Sequence, residues 1–249
     1  MKSFDKTIKI LDALVETGGA RVSELSDLLD IPDSTVHKHL KSLKKHGFVQ
    51  SKGDINTIGL KFLYYSGYKI NNNEIYSIIQ PKVEYLAERT GERCQFVTEQ
   101  NGEGVYLFTK LTDESAIQAD VRPGKYVDLH ATAAGKTILA HLPRSRVNEI
   151  ITDRELSSHT PKTITQQEAL YDELDQIREQ GYGINDEERI TKQRAVGVPV
   201  LNTVGRPIGA FSVSGPANRL NSKKIHEELP ELLMGTVDEV ELDIEYNIN

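Results

Sequence analysis

Cysteine and long apolar runs are scarce in this sequence. Its 249 residues include one cysteine, Cys94, which excludes an intramolecular disulfide and a zinc site built from several cysteines. The longest stretches without a charged side chain, such as Pro207–Asn218, reach about a dozen residues, whereas a membrane-spanning helix requires ~20 apolar residues. The amino terminus lacks the apolar core of a signal peptide. We therefore expect no transmembrane helix, a cytoplasmic protein, and a Cys94 that is a small buried side chain.

Positive charge is also in deficit, but unevenly. The formal net charge of −7 argues against nucleic acid as a partner of the molecule as a whole. Residues 1–53, however, hold nine Lys or Arg against seven Asp or Glu, and residues 33–52 hold five lysines against the single acid Asp33. A small basic segment in an acidic chain predicts two separate functions.

The amino-terminal segment has the apolar periodicity of helices. The first predicted helix presents one apolar stripe, formed by Phe4, Ile8, Leu11 and Val15. Gly18-Gly19 ends that helix, and Ser23 is the expected cap of the next. The expected buried side of the second helix comprises Val22, Leu25, Leu28 and Leu29. Because proline disfavours helical geometry in the residue before it, Pro32 predicts a short turn after the second helix.

A third predicted helix follows this turn. Asp33 or Ser34 is its expected cap, and Gly47 is its expected stop. Its inner stripe comprises Val36, Leu40 and Leu43. Its outer face carries Ser34, Lys38, Lys41 and Lys45, with His37 and Lys44 beside it. Residues 48–55 then alternate apolar and polar side chains around a Lys-Gly-Asp turn, which predicts a β-hairpin.

Three helices, a tight turn and a hairpin in this order predict a winged helix-turn-helix whose third helix enters the major groove of DNA. The expected contacts of that helix with double-stranded DNA are Ser34, Thr35, His37, Lys38, Lys41 and Lys45. The alternative for an isolated helix is a solvated basic face, but the order of the whole 50-residue unit favours DNA. His37 and His39 point to different sides of a helix, so no metal site is expected there.

Residues 58–68 form an aromatic-rich connector with apolar side chains on more than one face: Leu60, Phe62, Leu63, Tyr64, Tyr65 and Tyr68. Such a helix must be covered by other protein, either within the chain or at a subunit interface. A winged helix commonly pairs to bind two half-sites, so we expect at least a dimer and an operator that is an inverted repeat. Asn71-Asn72-Asn73 interrupts the helix, which resumes and continues to Thr90-Gly91.

The remainder alternates predicted strands with predicted helices. The strands are Cys94–Glu99, Val105–Leu111, Ile117–Val121, Gly183–Asn185, Val196–Leu201 and Ile208–Ser214. The helices are Gly135–Leu142, Arg144–Ile151, Gln166–Gln180 and Ser222–Ile244. Thr165 and Glu168 have the spacing of a capping box, and residues 202–207 form a turn between two late strands. The pattern predicts an α/β sensor domain around a largely antiparallel sheet. The predicted domains are residues 1–57 for DNA binding, 58–75 for linking and dimerisation, and 76–249 for sensing.

One motif suggests an enzyme or a nucleotide switch instead. Ala134-Gly135-Lys136-Thr137 resembles the end of the phosphate-binding loop GxxxxGK[ST], but its first glycine would fall at His130. No strand leads clearly into the loop, and no GxSxG elbow surrounds Ser212 or Ser214. We therefore expect no catalytic residues, no cofactor and no metal.

Four segments together resemble one known family. Residues 31–40, 129–136, 181–188 and 211–216, in this order, are similar to the helix-turn-helix and the effector-binding domain of the IclR family of transcriptional regulators. The resemblance runs from about residue 4 to residue 245. It implies an α+β protein with a winged helix-turn-helix, a linker helix and a GAF-like effector-binding domain. It also implies a homodimer or homotetramer that controls catabolic or central metabolic genes in response to a small molecule.

The resemblance further implies where that small molecule binds. The positions carried over are Ala133, Ala134, Asn185, Ala195, Ser212 and Ser214. The physics agrees, because a helix start offers free amides to a carboxylate and two serines two residues apart on a strand share a face. The sequence departs from the family at Asn185, where Asp is common, at Ala195, where Cys is common, and near Lys192, where Gly is common. The effector expected is a small organic acid or a sugar-derived metabolite.

Overall fold

The structure, a computed structural model, describes residues 2–111 and 122–248. The chain divides into two compact units, Met1–Asn73 and Glu74–Asn249. The predicted strand Ile117–Val121 lies outside the described residues. None of the described helices is long and apolar enough to cross a membrane.

The first unit contains four helices and a hairpin within its described residues. Its elements are α1 (Lys2–Thr17), α2 (Val22–Leu29), α3 (Asp33–Lys45), β1 (Val49–Lys52), β2 (Ile55–Ile58) and α4 (Lys61–Asn71). β1 and β2 pair antiparallel across a two-residue turn, where Gly53 adopts φ +61°. Apolar side chains of α1, α2, α3 and β1 form one core. The winged helix-turn-helix predicted from the sequence is confirmed.

The buried face of α1 differs from the predicted one. Phe4 is 69% exposed, and Ile8 and Val15 are also exposed, whereas Ile10, Ala13 and Leu14 are buried. Ile10 and Leu14 each precede a residue of the predicted stripe by one position, a rotation of about 100° around the helix. Helix α1 has two adjoining apolar faces. The face with the larger side chains was predicted to be buried, but the buried face is the one that includes the small residue Ala13.

The predicted caps of α2 and α3 are also wrong. Ser23 lies inside α2, whose N-cap is Arg21, and the Glu24 carboxylate accepts a hydrogen bond from the Arg21 backbone N–H at 2.7 Å. Leu28, predicted to be buried, is exposed. Pro32 occupies the N-cap of α3 without a side-chain cap bond, so Asp33 is the first helical residue. Proline fixes its own φ at this boundary, and its carbonyl accepts from the N–H groups of Thr35 and Val36 at 2.8 and 3.1 Å.

The second unit is built on an antiparallel sheet. Its described elements are α5 (Glu74–Thr90), β3 (Arg93–Gln100), β4 (Glu103–Lys110), β5 (Tyr126–Val127), α6 (Ala133–His141), α7 (Arg144–Arg154), α8 (Gln167–Gln180), β6 (Gly183–Asp186), β7 (Gln193–Leu201), β8 (Pro207–Pro216) and α9 (Leu229–Ile248). The strand order is β5-β4-β3-β8-β7-β6, and every neighbouring pair is antiparallel. α6 packs against β3, β7, β8 and α8. The predicted α/β architecture is confirmed.

One local prediction in this unit fails, and one helix has an irregular turn. Thr165 does not cap α8, because the helix begins one residue later, after Gln166, without a side-chain cap bond. The predicted helix Ser222–Ile244 is observed, and it contains a π turn at Lys224–Glu228 before it continues as α9. Pro230 explains the wider turn, because proline has no N–H to donate to the carbonyl four residues earlier.

Candidate functional site

The outer face of α3 is free of internal contacts. Val36, Leu40 and Leu43 are buried as predicted. The predicted DNA contacts Ser34, His37, Lys38, Lys41 and Lys45 are exposed, and Thr35 is half-buried. Within residues 2–111 and 122–248, none of these lysines forms an ion pair. The helix therefore presents uncompensated positive charge beside short polar side chains, which suits phosphate and base-edge contacts.

The six predicted effector residues line one cavity of about 30 Å³ in the second unit. Three strands supply four of them, and the start of α6 supplies Ala133 and Ala134. Asn185 of β6 faces Ala195 of β7, which faces Ser214 of β8, which faces Arg93 of β3. Ser212 is in register with Gly197 and Gln95 in the next row of the same face. Arg93 therefore lies in the same row across the sheet as Asn185, Ala195 and Ser214. The sequence predicts those three residues for the site and does not indicate Arg93.

The start of α6 closes the cavity against the sheet. A Cβ on Gly197 would lie 2.7 Å from the Ala134 nitrogen and 2.7 Å from the Ala133 carbonyl carbon. Only glycine permits this approach of backbone to backbone. The Thr132 hydroxyl oxygen caps the helix by accepting from the Gly135 N–H at 3.1 Å. The N–H groups of the first helical residues, Ala133 and Ala134, remain available to a ligand.

Asn185 is already committed within the chain. Its amide Nδ2 donates to the Ala131 carbonyl at 2.5 Å, and its Oδ1 accepts from the Glu188 backbone N–H at 3.2 Å. One N–H and one lone pair remain for a ligand. The side chain therefore holds the loop after β6 against the turn before α6, a role the sequence did not indicate.

Ser212 and Ser214 differ in their partners. The Ser214 hydroxyl donates to Gln95 Oε1 at 2.8 Å and accepts from Arg93 Nε at 3.0 Å. The Ser212 hydroxyl is buried and has no hydrogen bond to any described residue. Ser212 therefore presents a hydroxyl that no described residue engages.

Arg93 and Arg189 also line the cavity. Arg93 is 4% exposed, and Arg189 is half-buried. Burial lowers the pKa of Arg93, the Tyr106 phenol raises it, and the positive charge of Arg189 lowers it. The Arg93 guanidinium stays protonated at neutral pH, because arginine keeps its proton in proteins. Sequence reasoning missed both arginines, although the pairing of Arg93 with Ser214 follows once the strand register is known.

The loop that carries Arg189 has a residue with left-handed backbone conformation at each end. Glu187 and Lys192 adopt φ +65° and +61°, and the Lys192 N–H donates to the Glu187 carboxylate at 2.7 Å. A glycine at position 192 would adopt this conformation without strain.

Lys136 of the loop-like motif is not available to a phosphate. It is 1% exposed, and its Nζ donates to the carboxylates of Glu173 and Glu188, each at 2.7 Å. The Thr137 hydroxyl donates to the Ala133 carbonyl. Burial is the main reason that the pKa of Glu188 is raised, and Lys136 partly offsets it. The motif therefore ties α6 to α8 and to the loop after β6.

The connector aromatics lie mainly on α4, on which no residue is buried. Tyr64 and Tyr68 are 64% and 68% exposed. Phe48 packs against Phe62 and stacks on Tyr65 at centroid distances of 5.0 and 5.8 Å. Packing within the unit thus accounts for part of the aromatic set and leaves Tyr64 and Tyr68 uncovered. Cys94 is fully buried as predicted, and burial raises the pKa of its thiol.

Two family profiles match the chain. The IclR helix-turn-helix domain matches residues 3–53, and the C-terminal domain of the bacterial transcriptional regulator IclR matches residues 68–241. The chain belongs to the IclR family of transcriptional regulators. The resemblance seen in the sequence is thereby confirmed.

Individual proteins that are similar to this IclR-family chain support the same family assignment. It is 32% identical over 244 residues to a Halobacterium salinarum protein named probable HTH-type transcriptional regulator ArcR, covering 96% of this chain and 92% of that protein. The crystal structure of Thermotoga maritima IclR is 31% identical with a TM-score of 0.81, covering 98% of this chain and 99% of that one. An IclR homologue from Microbacterium hydrocarbonoxydans, crystallised with 4-hydroxybenzoate, shares the fold at 20% identity and a TM-score of 0.82, covering 98% and 100%.

Proposed function

We propose that this IclR-family chain is a ligand-responsive regulator that binds double-stranded DNA through α3 and a small-molecule effector in the cavity of the second unit. The observation that carries the DNA side is the uncompensated outer face of α3. Ser34, Thr35 and His37 lie where base edges would be contacted, and the lysines lie where phosphates would be. The hairpin β1–β2 is the wing.

The effector side rests on the cavity between the start of α6 and strands β6, β7 and β8. Ala133 and Ala134 supply amides, Ser212 supplies a free hydroxyl, and Asn185 supplies one N–H and one lone pair. Ser214 and Ala195 complete the wall. The homologue crystallised with 4-hydroxybenzoate supports a small organic acid as effector, and a sugar-derived metabolite is the neutral alternative. The genes controlled are proposed to be catabolic or central metabolic ones.

The regulator is proposed to act as a homodimer or homotetramer on an inverted repeat. The exposed aromatic residues Tyr64 and Tyr68 of α4 support a contact with a second copy. The domain boundaries at residues 57 and 75 remain a prediction. A protein that binds DNA works where the DNA is, so the proposed location is the cytoplasm.

The competing proposal is a nucleotide-binding enzyme or switch that uses Gly135, Lys136 and Thr137. The engagement of Lys136 by two carboxylates disfavours it, because the amine that would bind phosphates is already neutralised. The named relatives are transcriptional regulators, which also favours a protein without catalytic activity.

The salt dependence of DNA binding tests the proposal. Three charges are removed from α3 in the variant Lys38→Ala/Lys41→Ala/Lys45→Ala and, as a matched control, from exposed positions of the second unit in Lys110→Ala/Arg206→Ala/Lys223→Ala. Each lost phosphate contact should shrink the slope of log affinity against log salt by about one. The α3 variant should therefore lose about three units of slope for each bound subunit, about six for a dimer on two half-sites, and the control should lose little. Equal slopes for wild type and the α3 variant would remove this helix from the DNA interface.

A further inference from the structure

The wing hairpin contains one buried polar side chain. Asn56 of β2 is 2% exposed, whereas the other polar side chains of β1 and β2 are exposed or half-buried. A buried amide is costly unless its hydrogen bonds are made. A two-stranded hairpin alone is at best marginally stable in water, so its conformation depends on contacts with the rest of the unit. The bonds of Asn56 are therefore the feature to explain.

The Asn56 side chain joins both sides of the wing turn. Its Nδ2 donates to the Asp54 carbonyl at 3.4 Å, and its Oδ1 accepts from the Ser51 hydroxyl at 3.0 Å. Ser51 and Asp54 directly flank Lys52 and Gly53 in the sequence. One side chain thus fixes the two ends of the segment that forms the tip of the wing.

The same side chain fastens the wing to the helices. Its Nδ2 also donates to the Ala20 carbonyl at 3.0 Å, and the backbones of Ala20 and Asn56 exchange N–H···O bonds of 3.0 and 2.9 Å. Gly19 lies so close to the wing that a Cβ there would be 2.8 Å from Thr57 Cγ2. The connection between α1 and α2 therefore extends the two-stranded sheet by one bridge.

The wing turn carries two opposite charges. Lys52 and Asp54 are exposed, and neither forms an ion pair with a described residue. Asp54 borders a cleft of about 410 Å³, and Lys52 does not. The other charged residues that line the cleft are Arg21, Lys44 and Asp33, so the charges along the cleft balance. Lys52 is left as the uncompensated charge of the wing.

We propose that Asn56 is a positioning residue that holds the wing turn so that Lys52 contacts a DNA phosphate. This inference rests on the proposed function and deepens it, because it adds a contact outside α3. Lys44 of α3 and Gly53 of the turn border the same cleft, so the turn lies beside the helix that would enter the major groove. A turn that is fixed in advance avoids the entropy cost of ordering it on binding.

The fixed orientation also decides which charge of the turn meets the DNA. Held by Asn56, the turn keeps Asp54 at the cleft and presents Lys52 alone. A released turn would bring Lys52 and Asp54 to the DNA together, where their effects on affinity oppose each other.

The test measures binding to a short DNA duplex of random sequence by fluorescence anisotropy over a series of KCl concentrations. The variants are Lys52→Ala, Asn56→Ala and the combination of the two. Arg206→Ala controls for the loss of one exposed charge, and Ile10→Val controls for a loss of stability in the core of the first unit. Ser51→Ala removes one bond of Asn56 at an exposed position, so it tests the same contact if Asn56→Ala does not fold.

Lys52→Ala should reduce the slope of log affinity against log salt by about one for each bound subunit. Asn56→Ala should lose at least about half of that slope and bind about tenfold more weakly, the cost of ordering about one residue of the turn. Asn56→Ala/Lys52→Ala should lose no more slope than Lys52→Ala alone. Ser51→Ala should weaken binding about threefold, and the two controls by less than about twofold.

Asp54 supplies a measurement that a purely structural role of Asn56 would not change. Asp54→Asn should improve DNA affinity more in the Asn56→Ala background than in the wild-type background, because only the released turn brings Asp54 to the DNA.

Four results would overturn the inference. They are an unchanged slope for Lys52→Ala, additive losses of slope in the double variant, a loss for Ile10→Val as large as that for Asn56→Ala, and equal gains from Asp54→Asn in the two backgrounds. Failure of the proposed function is distinguishable, because Lys38→Ala/Lys41→Ala/Lys45→Ala would then keep the wild-type slope. If that variant loses slope and Lys52→Ala does not, α3 binds DNA and only the role of the wing is rejected.

Discussion

Lys136→Met should destabilise the second unit and leave no catalytic deficit. Removing one partner of a buried ion pair costs about 3–5 kcal/mol, because the remaining charge stays buried without compensation. Lys136 contacts two acids, but only Glu188 is deeply buried, since the Glu188 side chain is 9% exposed and that of Glu173 is 27% exposed. Glu173 can regain water, so the expected loss lies near the lower limit, about 3 kcal/mol.

The matched control is Lys162→Met. Lys162 also joins two carboxylates, those of Asp186 and Glu187, at 3.1 and 3.0 Å. Its side chain is half exposed, so water replaces the lost contacts and the stability should change little. Urea unfolding of the full chain, followed by circular dichroism, measures both variants. The two lysines differ in burial rather than in the number of their partners.

The pH dependence of the loss follows from Glu188. Burial raises the pKa of this carboxyl, and Lys136 lowers it, so the pKa rises further in the variant. A carboxyl whose pKa is higher in the folded state than in the unfolded state is unfavourable above the folded pKa. This destabilisation disappears at low pH, where the carboxyl is protonated in both the folded and the unfolded state. The deficit of Lys136→Met should therefore be largest above the raised pKa of Glu188 and shrink as the pH falls toward the ordinary pKa of a glutamate. A variant as stable as wild type, or one that loses a nucleotide hydrolysis measured in wild type, would refute the reasoning.

Three further predictions concern the cavity and the surface of α4. Gly197→Ala should destabilise the chain by about 1–3 kcal/mol in urea unfolding, since its Cβ would meet the backbone of Ala133 and Ala134 at 2.7 Å; unchanged stability would contradict that close approach. Ser212→Ala/Ser214→Ala should cost about 1–3 kcal/mol of calorimetric affinity for whichever carboxylate wild type binds, and equal affinity would place the effector elsewhere. Tyr64→Asp/Tyr68→Asp should lower the mass in sedimentation, with Tyr65 left intact because it stacks on Phe48; an unchanged oligomer would place the interface elsewhere.

Elements with strong local signals were predictable from the sequence. The inner stripe of α3 and the hairpin after it follow from periodicity and turn residues, and both are observed. The late strands β7 and β8 and the turn between them are likewise observed. These elements carry the candidate DNA-binding face and, in Ala195, Ser212 and Ser214, part of the candidate effector cavity. Those residues of the two sites could therefore be predicted from the sequence.

The features that failed depend on information outside the local pattern. α1 has two adjoining apolar faces, and only packing against α2 and α3 selects the one with Ile10 and Leu14. The backbone geometry decides which residue occupies the N-cap. Arg21 and Pro32 therefore occupy the N-caps of α2 and α3, although Ser23 and Asp33 have side chains better suited to capping. β5 has two residues, too few for any periodicity.

Arg93 illustrates the same limit at the candidate site. It lies 121 positions before Ser214 in the sequence and becomes its neighbour only through the pairing of β3 with β8. Its position in the wall of the cavity is a property of the folded chain, which no single-sequence motif encodes. Motif resemblance therefore predicted six residues of the cavity wall, whereas Arg93 and Arg189 in the same wall became evident only in the structure.

Capture of genomic DNA by the purified protein tests the central claim most directly. Sheared genomic DNA from the source organism is incubated with wild type and with Lys38→Ala/Lys41→Ala/Lys45→Ala at moderate salt, and the bound fragments are sequenced. We predict a small set of enriched sites that share an inverted repeat for wild type and their loss for the variant. No enriched site for wild type, or the same sites for both proteins, would contradict the claim that this chain is a regulator that binds DNA through α3.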